Sequence, residues 1–282
     1  MLIGHRKQLD FLKKAVKAKR LSHAYLFSGQ EKLGKRTLVT EWLSDFLGKD
    51  FSLNHPDLVL IKPQTKEIQI SQIKELIWKL SLKPFSSLLK TALIDDAHLM
   101  NQEAQTCLLK TLEEPKGNTL LVLISSQPQK LFPAIISRSQ IVKFNPVKKE
   151  EIRQQLSAFG VSDEMADKIS EISLGRPGLA LDLARNKDSL KNIDFFDELS
   201  QAPLYFRFQY AKNLSEDIQK AKEILVLWTL YLRQKLKKAI IGRQPTSDLR
   251  KTLSFLQQTG YLISKSNVNA RLALEALMLE LN

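Results

Sequence analysis

The strongest constraint on the fold is the segment from Gly29 to Thr37, which reads GQEKLGKRT. Its spacing is that of a phosphate-binding loop, G-x-x-x-x-G-K-[ST], whose glycines let backbone N–H groups close around phosphates. In that motif the lysine reaches the terminal phosphates and the final hydroxyl holds magnesium. Gly29, Gly34 and Lys35 match the pattern, but Arg36 stands at the hydroxyl position and Thr37 comes one residue late. The segment therefore predicts a loop that leaves nucleotide binding open and makes hydrolysis harder.

The flanking sequence supplies the strand–loop–helix order that such a loop requires. The apolar run at 23–27 leads into the loop, and a helix pattern at 38–47 follows it. Further apolar runs predict strands at 57–61, 91–94, 119–126 and 141–144, and helical spacing predicts helices at 7–19, 71–80 and 100–114. Because strands alternate with helices over about 145 residues, we expect a parallel sheet flanked by helices.

Strand patterns stop after Pro146, and helical patterns continue from there. A glycine–proline break at 175–178 and a polar joint near 187–192 interrupt them. We therefore expect three domains: a nucleotide-binding-like α/β domain at 1–147, a small helical lid at 148–188 and an all-α collar or oligomerisation domain at 189–282.

The composition narrows the functional class. Lysine and arginine number 43 against 30 acidic residues, a net charge of +13, which fits a nucleic-acid partner or an ordinary solvated surface. No run of about 18 apolar residues and no secretory signal occurs, so we expect a cytoplasmic protein without membrane contact. The single cysteine, Cys107, excludes a disulfide framework and a thiolate zinc site.

Three further patterns carry possible chemistry. Asp95 and Asp96 follow an apolar strand, where α/β sheets bind ligands. Asp95 suits a magnesium ligand, while Asp96 is short for the glutamate that positions water, and capping of the turn stays open for both. Ser126 ends the next strand and could contact a phosphate or its own backbone. Arg138 precedes the last strand, either solvated or placed to stabilise phosphate charge in a neighbouring subunit.

Together these segments resemble the clamp-loader branch of the AAA+ ATPases, which includes the bacterial DNA polymerase III subunits that open the sliding clamp. The resemblance covers about the first 145 residues, and the next forty more loosely. Its most specific part is LLKTLEEP at 108–115 followed by Ser137-Arg138-Ser139. It implies an α/β AAA+ ATPase-like domain followed by a small helical lid and an all-α C-terminal collar domain.

Departures from the family pattern indicate the type of subunit. The ATP-hydrolysing subunits carry Ser or Thr at the position of Arg36, Glu at Asp96 and an arginine at Gly178. Their serine–arginine triplet usually ends in cysteine, a mild difference from Ser139. The arginine that serves the neighbour, Arg138, is kept. The chain is thus similar to the subunit type that completes a neighbour's ATP site instead of running its own.

The resemblance implies a stator that helps to load the sliding clamp on primed DNA, with Arg138 acting in trans and its own ATP hydrolysis weak or absent. The degenerate nucleotide site would comprise Gly29, Gly34, Lys35, Thr37, Asp95, Asp96 and Ser126. No cofactor is expected to be required, and ATP or ADP bound without turnover stays open. The implied partners form a hetero-oligomer: an ATPase subunit, a clamp-opening subunit, the sliding clamp and primed DNA without sequence specificity.

Two alternatives stay open. The chain could be an active clamp-loader ATPase in which Thr37 or a water holds magnesium, or an inert remnant that binds DNA. Basic clusters at 6–20 and 233–251 would suit DNA phosphates or simply face solvent. The family's four-cysteine zinc module has no counterpart in the stretch at 48–61, where His55 alone cannot hold zinc, so no metal site is expected. We expect His23, His55 and His98 to be ordinary turn or core residues.

Overall fold

A computed structural model describes residues 2–48, 54–115, 117–265 and 268–281. The chain divides into two compact units, Met1–Glu151 with Arg176–Gly178, and Ile152–Gly175 with Leu179–Asn282. The predicted three-domain boundaries at 147 and 188 stay predictions. Residues 49–53 of the stretch without a zinc module lie outside the described residues. Within the described ranges, no helix combines the length and the apolarity needed to cross a membrane.

A five-stranded parallel sheet forms the first unit. Its strands are β1 Ala24–Ser28, β2 Leu58–Ile61, β3 Lys90–Ile94, β4 Thr119–Ser125 and β5 Gln140–Lys143. They lie in the order β2-β3-β4-β1-β5, with every neighbouring pair parallel. All five predicted strands are therefore confirmed. Because the strands run in one direction, one edge of the sheet collects their carboxyl ends and the opposite edge their amino ends.

Helices cover both faces of this sheet. They are α1 Arg6–Lys17, α2 Lys35–Leu47, α3 Ile70–Ser81, α4 Gln102–Glu113 and the short α5 Pro133–Ser137. Alternate residues of β1 serve the two layers: Tyr25 and Phe27 pack with Trp42 of α2, while Leu26 joins the core with α3 and α4. The rings of Tyr25 and Trp42 meet edge to face, 5.1 Å between centroids. Burial on both faces explains the unbroken apolar run of β1.

The secondary-structure elements described in the second unit are helices. The helices after the sheet are α6 Lys149–Ala158, α7 Asp163–Ile172, α8 Pro177–Arg185, α9 Lys187–Gln201, α10 Leu204–Ser215, α11 Ile218–Ile241, α12 Ser247–Lys265 and α13 Ala270–Leu279. Trp228 of α11 is fully buried, and its indole N–H donates to the carbonyl oxygen of Asn192 at 2.8 Å. Ile224, Leu225 and Leu232 pack in the same core. The predicted all-α C-terminal part is thereby confirmed.

A buried carboxylate fixes the segment that enters β3. Asp57 is fully buried and accepts the backbone N–H groups of Phe85, Ser86 and Ser87, at 2.6, 2.9 and 2.9 Å. The Ser87 hydroxyl donates to it at 2.8 Å, and the Lys90 ammonium lies 3.8 Å away. Burial alone would raise the pKa of Asp57, but these donors outweigh it and hold the pKa well below its ordinary value.

Replacing Asp57 with asparagine should therefore destabilise the first unit. The variant keeps the shape but loses the charge that the three N–H donors face, so we expect a loss of about 3 kcal/mol in unfolding free energy at neutral pH. The native pKa is lowered, so the stabilisation is present above the unfolded pKa and lost as pH falls through the folded value. Denaturant unfolding of both proteins should show the difference shrinking below about pH 4.

Asp45→Asn is the matched control, because Asp45 pairs with Lys13 at 3.7 Å on the surface. We expect it to cost no more than about 1 kcal/mol. An Asp57→Asn protein as stable as the Asp45→Asn protein at neutral pH would contradict the anchoring role of Asp57.

Candidate functional site

The glycine loop connects the carboxyl end of β1 to the amino end of α2. Gly29 has φ 154°, and the chain there passes close to Phe144, whose carbonyl oxygen would lie 2.5 Å from an added Cβ. Gly34 caps α2 with φ 88°, a left-handed conformation that side chains disfavour. The two motif glycines thus shape the turn that aims the first N–H groups of α2 toward the carboxyl edge of the sheet.

The loop lysine is folded back onto its own loop. Lys35 is 6% exposed, and its ammonium donates to the carbonyl oxygens of Gly29 and Gln30, the latter at 2.6 Å. Burial lowers its pKa, and the carboxylates of Asp96, Glu31 and Asp95 oppose that shift. The positive charge is therefore satisfied by two backbone dipoles of the loop itself.

Arg36 bridges the loop helix to the end of β3. Its Nη1 lies 3.2 Å from Oδ2 of Asp95, and the two side chains are 38% and 15% exposed. Asp95 immediately follows β3. In the sheet, β3 pairs with β4, and β4 pairs in turn with β1, the strand that leads into the glycine loop. The two positions that hold magnesium in the motif are thus brought together, but one of them carries a cation bonded to the other.

This arrangement does not fit a magnesium ion. Magnesium demands closely placed oxygen ligands in octahedral geometry. Arg36 supplies no oxygen, and its guanidinium already occupies a carboxylate oxygen of Asp95. Thr37 is exposed and lies one residue further along α2, about 100° around the helix axis. Across the described ranges, no group of three or more His, Cys, Asp and Glu side chains is placed to hold a metal ion.

A small polar cluster lies beside Asp95. Ser126 follows β4, and its hydroxyl lies 3.3 Å from Nε2 of His98 and 3.5 Å from a carboxylate oxygen of Glu31. Burial, with the charge of Asp95, raises the pKa of Asp96, which has φ 52°. Burial also lowers the pKa of His98, which favours the neutral ring. The predicted site residues Ser126 and Asp96 thus lie near Glu31 and His98, two side chains that were not predicted to belong to the site.

Gly178 lies against the glycine loop. Its backbone N–H donates to the carbonyl oxygen of Lys32 at 2.7 Å, and an added Cβ would lie 2.9 Å from that oxygen. A side chain at this position would displace the loop. The substitution of glycine for the family's arginine is therefore part of how this loop is packed.

Arg138 lies at the opposite edge of the sheet from the loop. It caps the C-terminus of α5 just before β5, whose Gln140 is in register with Tyr25 near the start of β1. The glycine loop leaves the far end of β1, so the two sites are separated by about 16 Å along the strand direction. The guanidinium is half exposed and pairs with Glu113 at 2.9 Å, while it also donates to the carbonyl oxygen of Ala134 at 3.3 Å.

The comparisons with known proteins show the family of the chain. A family model described as DNA polymerase III, delta subunit, matches residues 4–148. The chain belongs to this family. Subunit delta' of DNA polymerase III from Bacillus subtilis is 33% identical over 195 residues, 64% of this chain and 59% of that protein. The delta' subunit from Pseudomonas aeruginosa is 30% identical over 169 residues, 54% and 51% of the two chains.

The predicted kinship with the clamp-loader subunits, and within them with delta prime, is therefore confirmed. The chain spans only a little over half the length of these curated relatives. The roles of the individual site residues stay predictions.

Solved structures show the fold. A DNA polymerase III gamma subunit-related protein from Thermotoga maritima superposes with a TM-score of 0.54 at 21% identity, covering 96% of this chain and 97% of that one. The RuvB Holliday junction branch migration motor from the same organism gives 0.51 at 17% identity, covering 96% and 87%. The AAA+ fold class predicted from the sequence is thus confirmed.

Replacing Gly29 or Gly34 with alanine distinguishes two constraints on the glycine loop, namely backbone strain at positive φ and the close approach of Phe144. Both positions have positive φ, which costs about 1–2 kcal/mol for a side chain. Around Gly34 the nearest atom lies 3.7 Å from an added Cβ, whereas at Gly29 the Phe144 carbonyl lies at 2.5 Å. We therefore expect Gly29→Ala to lower the free energy of unfolding more than Gly34→Ala, as measured by denaturant titration. Equal losses would contradict the close approach of Phe144.

Proposed function

We propose that this chain is a delta-prime-like clamp-loader subunit, a stator that helps to load a sliding clamp on primed DNA. In this proposal Arg138 completes the ATP site of a neighbouring ATPase subunit, and the chain's own ATP hydrolysis is weak or absent. Membership of the DNA polymerase III delta subunit family and the likeness to two delta' subunits support the subunit type.

One observation supports the proposal that Arg138 acts on a neighbour's nucleotide and not on its own: the glycine loop and Arg138 lie at opposite edges of one sheet. A rigid parallel sheet keeps Arg138 far from its own loop, so this side chain cannot serve the nucleotide that its own loop would hold. It is half exposed, and Glu113 holds its guanidinium in place. Such a fork is suited to the oxygens of a phosphate group in transfer.

The loop itself supports a weak or absent ATPase. Phosphoryl transfer needs a metal that bridges phosphate oxygens and a residue that orients the attacking water. In this chain Arg36 stands where the motif has a metal-binding hydroxyl, and it pairs with Asp95. The position of the water-orienting glutamate is taken by Asp96, whose side chain is shorter and whose pKa is raised. Both requirements are therefore poorly met. An active motor would need Thr37 to replace Arg36 as a ligand, and its position one residue along the helix speaks against that.

The proposed partners follow from this role. They are an ATPase subunit, a clamp-opening subunit, the clamp and primed DNA, assembled in a cytoplasmic hetero-oligomer. The likeness to subunit tau of DNA polymerase III from Bacillus subtilis, 25% identical over 279 residues, supports a setting among related subunits.

Removing the Arg138 guanidinium tests the role in trans. In a reconstituted complex, the ATPase subunits that do not adjoin this chain would carry loop-lysine substitutions, so that one site reports. Arg138→Ala should then lower the rate of ATP hydrolysis at that site by about 10³-fold, because an arginine of this kind stabilises the charge of the transition state. Arg138→Lys should not restore the rate, since it lacks the planar fork.

Arg271→Ala serves as the matched control, because Arg271 also forms a partly exposed ion pair, with Glu275 at 2.7 Å. This variant should leave the rate unchanged. An unchanged rate in the Arg138→Ala complex, with assembly verified by gel filtration, would contradict the role in trans.

DNA contact is proposed for the basic cluster of α1. Lys14 and Lys17 are exposed on this helix. Lys13 of the same helix pairs with Asp45, and in the C-terminal cluster Lys235, Lys238 and Lys251 pair with acidic groups of the second unit. Cations already paired with carboxylates gain less from phosphates.

Replacing Lys14 and Lys17 together with glutamate should weaken binding of the assembled complex to primed DNA. The slope of log affinity against log salt should flatten by about 0.9 for each lost duplex phosphate contact, because fewer counterions are released. The exposed Lys237→Glu in the C-terminal cluster is the control and should leave the slope unchanged. If only the control variant weakens binding, the assignment to α1 is wrong.

A further inference from the structure

Arg36 occupies the place of a metal ion in charge as well as in position. Its Nη1 lies 3.2 Å from Asp95 Oδ2, so the carboxylate that would neutralise a metal already faces a permanent cation. Asp95 is largely covered, with 15% of its side chain exposed. A divalent ion entering beside Asp95 would meet the repulsion of this guanidinium as well as a missing hydroxyl ligand.

The remainder of the loop keeps the groups that bind phosphate. Gly34 has the left-handed conformation that opens the N-terminus of α2, a helix of 13 residues. The Lys35 ammonium is buried, and its two partners are carbonyl oxygens of the loop. These are contacts that phosphate oxygens can replace without leaving the ammonium unpaired. The arrangement has thus lost a metal ligand and retained its anion-binding groups.

The cations around the loop compensate the missing metal. One nitrogen of the Arg36 guanidinium, Nη1, faces Asp95. The guanidinium has further N–H donors that can bind a phosphate oxygen. The carboxylates of Asp96, Glu31 and Asp95 raise the pKa of Lys35, so they favour its charged form. Burial and the charge of Asp95 raise the pKa of Asp96.

We propose that Arg36 acts as a built-in cation in place of magnesium, so that this loop binds the phosphates of a nucleoside diphosphate or triphosphate without a divalent ion. The inference rests on the proposed non-hydrolysing role of this site and adds a ligand form to it. A nucleotide held in this way has no metal bridging its phosphate oxygens. It would therefore stay bound without turnover, as a structural ligand.

The test measures binding of ADP carrying a fluorescent ribose label to the isolated full chain, by fluorescence anisotropy. One titration contains excess magnesium, and the other contains excess EDTA. For the native chain we expect dissociation constants that agree within about twofold. For Arg36→Thr, which restores the motif hydroxyl and frees Asp95, we expect binding at least about tenfold tighter with magnesium than with EDTA.

Two further variants keep the result interpretable. Arg36→Lys retains a cation next to Asp95 and should stay indifferent to magnesium. Arg271→Thr removes a partly exposed, ion-paired arginine of the second unit and should leave both dissociation constants unchanged. Circular dichroism melts of each variant establish that the chain is folded before binding is compared.

Three results would overturn the proposal: native binding that requires magnesium, no labelled-ADP binding by the native chain in either buffer, or an Arg36→Thr chain that remains indifferent to the metal. None of them touches the role of Arg138, which is read from the ATPase rate of the neighbouring subunit in the assembled complex. Failure here and failure of the proposed function are therefore distinguishable.

Discussion

The parallel sheet is the constraint on which the functional layout depends. Burial on both faces fixes β1 in the interior, with Tyr25 and Phe27 packed on one layer and Leu26 on the other. Because all five strands point the same way, the glycine loop lies at one edge and Arg138 at the other. A close-packed sheet does not deform enough to bring them together. In the proposed function, the loop and Arg138 therefore do not act on the same nucleotide.

Internal pairing of its cations supports the proposal that this loop works without a metal. Two of its cations are satisfied internally, Lys35 by loop carbonyls and Arg36 by Asp95. Leaving a buried charge unpaired would cost several kcal/mol, so these contacts stabilise the loop while no nucleotide is bound. The packing of Gly178 against Lys32 removes the space for a further arginine. Together these contacts support the proposal of a site with weak or absent ATP hydrolysis.

The strands and the first four helices were predictable because apolar periodicity reports local geometry directly. The glycine loop and Asp95 were also found from the sequence, since strand, loop and acid have fixed spacing or follow an apolar run. Contacts between distant segments were not predictable. Three such contacts join residues that only the fold brings together: the Arg36–Asp95 ion pair, the Arg138–Glu113 ion pair and the hydrogen bonds to Asp57. His98 and Glu31 were missed for the same reason, because neither belongs to a spaced motif.

The central claim is that this chain carries an ATPase fold without being a motor. The most direct measurement is steady-state ATP hydrolysis by the purified chain with magnesium, first alone and then with a catalytic subunit, clamp and primed DNA. The account predicts no turnover by the chain alone and stimulated turnover in the mixture. Robust turnover by the chain alone, abolished by Lys35→Ala, would contradict it, because Arg36 would then not exclude the metal that phosphoryl transfer requires.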